Sequence, residues 1–140
     1  MNEIVINKIQ SIQRCVERAR QEYGFDPNGF DTNYSRQDAA LLNVLRACEQ
    51  AIDLANHIIK TQKMGVPTSS AESFDLLRQK HVIDTALSEK LKKMVGFRNT
   101  VTHQYQRIDL PVAKSVIASG LDDLIAFGDC IMAFINGSAS

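Results

Sequence analysis

The sequence has no tryptophan, three tyrosines and six phenylalanines. So few rings leave no evident platform on which nucleic-acid bases could stack. Cysteine is equally sparse: Cys15, Cys48 and Cys130 lie far apart and form no CxxC pair, which argues against a zinc site or a disulfide framework. Each falls on or near an apolar helical stripe, where a free thiol behaves as a small buried hydrophobe. Unpaired thiols fit a reducing, cytoplasmic setting. No apolar run approaches the roughly 20 residues needed to span a bilayer, so no membrane association is expected. The opening MNEIVINKIQ lacks the basic and then apolar stretches of a signal peptide. The three histidines show no metal-ligand spacing and no carboxylate cluster suggests Mg²⁺, so no metal is expected. Sustained period-2 strands, internal repeats and low-complexity segments are also missing.

What is present is an ordinary globular composition. The 140 residues are 44% hydrophobic and 23% charged, which speaks against disorder, collagen and a coiled-coil rod. The length suits one domain over 1–140, long enough to bury a core without metal or disulfide staples. Sixteen basic and sixteen acidic residues give zero net charge, a balance that by itself argues against a nucleic-acid binder. The distribution weakens that argument. Residues 1–77 carry −2 and residues 108–140 carry −3, whereas residues 78–107 hold seven basic and two acidic side chains, net +5. A Lys-rich helix face is ordinarily solvated surface, so charge alone assigns no role.

Val5, Ile9, Ile12, Val16, Ala19 and Tyr23 repeat at spacings of 4, 3, 4, 3 and 4, which places them on one helix face. Gly24, Pro27, Asn28 and Gly29 then form a loop. Leu41, Leu45, Cys48, Ile52, Ala55 and Ile59 define a second helix. It opens on a Ser35 cap, with Asp38 completing an approximate capping box, and closes at Gly65 and Pro67. Its other stripe, Val44, Ala47, Ala51, Leu54 and Ile58, makes it the centre of a bundle or the cover of a partner chain. Two shorter elements follow, over 71–79 and over 88–101, the latter with Ser88 as N-cap and Leu91, Met94 and Val95 facing inward. Asp109 and Pro111 open a last long helix carrying Ile117, Leu121, Leu124, Ile131 and Ile135. Its Gly120 and Gly128 mark close helix contact, and the tail over 137–140 is expected to fray. The fold expected is all-α, a bundle of three long and about two short helices.

The one dense cluster of reactive side chains is Arg98-Asn99-Thr100-Val101-Thr102-His103-Gln104-Tyr105, inside the basic stretch. Arginine binds phosphate through paired, charge-assisted hydrogen bonds. Histidine gives and takes protons near neutral pH. Together they suffice for metal-independent RNA cleavage: one group deprotonates the ribose 2′-OH, that oxygen attacks phosphorus, and a cation stabilises the phosphorane. Arg-x4-His alone is a weak pattern, equally met as a surface arginine near a helix-end histidine.

The segment resembles the Arg-Asn-x3-His signature of the HEPN superfamily and the fuller Arg-x4-His-x-Tyr of its HepT branch. LKKMVGFRNTVTHQY (91–105) is similar to the family's signature helix. LRACEQAIDLANHII (45–59), with Glu49, Asp53, Asn56 and His57, is similar to its second-helix signature. Two motifs in the right order are far more specific than one. The resemblance implies an antiparallel, homodimeric HEPN bundle with an RNA cleft between protomers. It implies the toxin of a type VII toxin–antitoxin system, an endoribonuclease cutting mRNA or tRNA, with Arg98 and His103 catalytic. It further implies an MntA-like minimal nucleotidyltransferase antitoxin, which forms a hetero-oligomer with the toxin and uses ATP to AMPylate Tyr105; the toxin itself needs no cofactor.

Helix geometry adds a constraint. Arg98 and Tyr105, seven apart, share a face, but His103 lies about 140° around the helix from Arg98. Either the helix frays before His103, aided by the β-branched Thr100, Val101 and Thr102, or a second protomer completes a site with two Arg98 and two His103. Asn99 either orients the site or caps backbone groups. Glu49 and Asp53 either line the cleft, organising Arg98, or form structural ion pairs with Arg46 nearby. His57 is accounted for by an Asp53–His57 surface pair and His81 by a loop. The alternative function is a non-catalytic helical partner that presents a surface or substrate to a nucleotidyltransferase.

Overall fold

The computed structural model describes residues 2–138. Its helices are α1 (Asn2–Gly24), α2 (Tyr34–Thr61), α3 (Ser70–Gln79), α4 (Thr85–His103), α5 (Leu110–Ser115) and α6 (Leu121–Ser138). Short 3-10 turns occupy Phe30–Thr32 and Tyr105–Arg107, and a π turn, Val116–Gly120, joins α5 to α6 without a break. The described residues contain no strand, so the all-α expectation holds. Of the tail expected to fray, Gly137 and Ser138 belong to α6, and Ala139 and Ser140 lie outside the described residues.

Both stripes of α2 are used. Val44, Ala47, Ala51, Leu54 and Ile58 are buried, as are Leu41, Cys48, Ile52, Ala55 and Ile59. The helix packs against α1, α3, α4 and α6, which makes it the centre of the bundle. The α1 stripe from Val5 to Ala19 is buried against it. Phe74 of α3 meets Phe127 of α6 edge-on, with ring centroids 5.4 Å apart. Both rings are fully buried, and truncating either to alanine costs about 3–5 kcal/mol. Gly128 brings α6 onto α1, where a Cβ would stand 3.4 Å from Ile9 Cγ2.

Helix ends depart from the sequence expectations. α2 is capped by Asn33, whose Oδ1 accepts from the Arg36 N–H, not by Ser35. α4 begins three residues early, capped by Asp84 through the Leu87 N–H, and Ser88 is buried inside it. At 19 residues α4 is not one of the short elements. Asp109 occupies the N-cap of α5 without a side-chain capping bond. α2 and α3 each end on a non-glycine residue in left-handed backbone, Lys63 (φ 53°) and His81 (φ 62°). Bonds from Met64 N to Ile59 O and from Val82 N to Leu77 O close those turns. Lys63 thus ends α2 before Gly65 is reached. The π turn has a partner as well: Arg20 Nε donates to Ile117 O at 3.1 Å and its Nη2 to Asp122 at 2.7 Å, engaging a carbonyl within the altered register.

Candidate active site

α4 carries the reactive cluster, and its packing decides where each side chain goes. Met94 and Val101 are buried. Arg98, four residues after one and three before the other, lies on the same inward seam. Its side chain is 19% exposed. Nη1 pairs with Glu49 Oε1 of α2 at 3.3 Å, and Nη2 donates to Ser70 Oγ, the first residue of α3, at 3.2 Å. The Nε is buried with no acceptor among the described residues. The guanidinium is therefore held from two helices while one N–H stays unmet, a cost of about 1–3 kcal/mol for such a group.

A second, small apolar cluster anchors the far end of α4. Leu41, Val101 and Ala113 are buried together, with Leu45, Phe97 and Ile108 packed around them. This holds the last turn in register through His103, and the Gln104 N–H still bonds Thr100 O at 2.8 Å. The β-branched run thus does not fray the helix. His103 is exposed and lines a shallow, open depression of about 490 Å³ with Thr102, Gln104, Tyr105, Gln106 and Arg107. Arg98 is not part of that lining. Within one protomer the helix turns Arg98 and His103 away from each other.

Tyr105 leaves α4 on the 3-10 turn and is 43% exposed. Its hydroxyl donates to Asp38 Oδ1 on α2. Partial burial, then the hydrogen bond and charge of Asp38, push the phenol up to about 12. Of the supporting candidates, Glu49 reaches Arg98 and Asp53 does not. Asp53 faces Lys8 of α1 at 3.8 Å, so the expected pairing with His57 is not the one formed. Asn56 instead accepts from the Ser73 hydroxyl at 2.6 Å, tying α2 to α3. Asn99 is exposed inside α4, which leaves it no helix end to cap. His81 is an exposed turn residue, as expected.

Burial pushes the Cys48 thiol up to about 12, with the charge of Glu49 adding and that of Arg98 opposing. It stays a protonated core group beside the site. Part of the basic stretch is locally balanced, since Lys92 contacts both Asp75 and Glu89 at 3.0 Å and Arg78 approaches Asp75 at 3.9 Å. Ser70 and Asp38 were not legible as site residues. They stand 28 and 67 positions from their partners, far beyond the reach of residue spacing along one helix.

Among the described residues no three His, Cys, Asp or Glu side chains gather as metal ligands, and no helix is long and apolar enough to cross a membrane. The family model for HepT-like ribonucleases matches residues 12–131. The chain is 46% identical over 133 residues to the mRNA nuclease HepT of Shewanella oneidensis, covering 95% of this chain and 99% of that one. The fold superposes with a TM-score of 0.90 on the tri-AMPylated Shewanella oneidensis HEPN toxin in complex with MNT antitoxin, at 46% identity over 95% and 99% of the two chains. It also superposes on YutE of Bacillus subtilis with a TM-score of 0.72, at 19% identity over 92% and 91%, a likeness of fold alone. Motif, bundle and these relatives agree: the chain belongs to the HepT-like ribonuclease family of HEPN proteins.

Proposed function

We propose that this protein is the toxin of a type VII toxin–antitoxin pair, a metal-independent endoribonuclease acting on mRNA in the cytoplasm as a homodimer. The observation that carries the reading is the near full-length match to an mRNA nuclease, in a chain whose Arg98, His103 and Tyr105 stand intact on one helix and its following turn. Arg98 of one protomer and His103 of the other bind the same phosphodiester across the two-fold axis. That His103 takes the 2′-OH proton as the oxygen bonds phosphorus, and water gives a proton to the departing 5′-oxygen. Arg98 neutralises the charge that develops on the phosphorane. An MntA-like minimal nucleotidyltransferase then silences the toxin by transferring AMP from ATP to Tyr105, placing a negative phosphodiester beside the cleft.

The test is cleavage of labelled mRNA in EDTA. Arg98→Ala and His103→Ala should each lower the rate about 100-fold or more, and binding should weaken as salt rises. Tyr105→Phe should cut RNA yet resist the antitoxin. Growth arrest that survives His103→Ala overturns the nuclease reading in favour of a partner-binding role.

A further inference from the structure

The Tyr105 hydroxyl is bonded to a carboxylate of its own chain. Asp38 lies in the second turn of α2 and accepts that hydrogen bond from 67 positions away. Nearby polar groups are committed elsewhere. Arg36 pairs with Glu22 at 2.7 Å and Gln37 donates to Phe30 O at 2.7 Å. Among the described residues no cation forms an ion pair with Asp38. Among the described residues this exposed carboxylate has no ion-pair partner, and its one side-chain hydrogen bond is from the Tyr105 hydroxyl.

We propose that Asp38 is the general base for adenylylation of Tyr105, a catalytic group supplied by the protein being modified. The inference rests on reading Tyr105 as the modified residue. A phenol is a weak nucleophile until its proton leaves, and burial beside a carboxylate holds this one protonated. At neutral pH only on the order of one phenol in 10⁵ would be ionised, so the proton must depart during the attack. The step balances with groups in place. The Tyr105 oxygen bonds the α-phosphorus of ATP, and the bond from that phosphorus to the bridging oxygen breaks. Its electron pair leaves with pyrophosphate, and the phenolic proton passes to Asp38 and from there to water. A carboxylate already accepting that proton's hydrogen bond needs no rearrangement to receive it. The product tyrosyl ester has no hydrogen left to donate, so the modified turn loses this tie to α2.

The competing role for Asp38 is a latch that merely holds the 3-10 turn. Asparagine separates the two, because Asp38→Asn keeps an acceptor oxygen but cannot take a proton. The whole chain is incubated with its nucleotidyltransferase and ATP labelled at the α-phosphate, and initial rates are measured against toxin concentration. Asp38→Asn should lower kcat about 100-fold with KM for the toxin changed less than about twofold, at an unchanged melting temperature. Asp38→Glu should recover at least about tenfold of that loss, since it restores a base. Wild-type kcat in Asp38→Asn, or a loss confined to KM, overturns the base and leaves Tyr105 as the target. Label incorporated into Tyr105→Phe overturns the modification site and the inference with it.

Discussion

The proposed sharing of Arg98 and His103 between protomers makes a quantitative demand on mixed dimers. Arg98 and His103 are about 140° apart around α4 and about 7.5 Å apart along it. The helix is intact between them, closed by the 2.8 Å bond from Gln104 N to Thr100 O. Arg98 is also tied toward α2 and α3 by Glu49 and Ser70. With those ties in place, the helix turns the two groups of one protomer to different sides. A two-fold dimer contains two cross-protomer Arg98–His103 pairs. A dimer of one Arg98→Ala and one His103→Ala chain keeps one of these pairs whole and loses the other. Each variant homodimer should retain about 1% of activity or less. The heterodimer, isolated through two different affinity tags, should recover about half the wild-type rate, set by one intact pair in two. Cleavage of labelled RNA at equal dimer concentration measures it. A heterodimer at the background of its parents would refute the shared site, as would full activity in a monomeric variant.

Three further outcomes follow from the same geometry. Glu49→Ala removes a half-exposed ion pair, which should cost about 1 kcal/mol, or about 3 °C in melting temperature. Cleavage should fall about tenfold as Arg98 loses one of its two anchors; if neither changes, Glu49 does not position Arg98. Alkaline difference titration of wild type against Tyr105→Phe should show a phenol with its midpoint near 12. Because the unfolded tyrosine loses its proton near 10, this group should reduce stability as pH rises from about 10 to 12 and leave it unaffected below. A midpoint near 10 would mean the Asp38 contact does not persist. Gly96→Ala adds a Cβ that meets nothing within 4 Å beyond its chain neighbours and its own helix backbone, so the helix should gain about 0.5–1 kcal/mol and melt a few degrees higher in calorimetry. A lower melting temperature would place another chain against this face.

Much of this protein is local and therefore readable from residue spacing. A period near 3.6 assigns a face to each apolar residue, and the α1 and α2 stripes are buried as that period requires. The Arg98-to-Tyr105 cluster was legible for the same reason, since its chemistry lies within eight consecutive residues. Helix ends were less so: Asn33 and Asp84 outcompeted Ser35 and Ser88, because any small polar residue near a helix start offers the same capping oxygen. Only tertiary packing placed Glu49 and Ser70 on Arg98, Lys8 in place of His57 beside Asp53, and Asp38 on Tyr105. The physical reason is range. A helix specifies neighbours three and four residues away, whereas contacts across 28 or 67 positions depend on how α2, α3 and α4 cross, which the side chains of all three decide together.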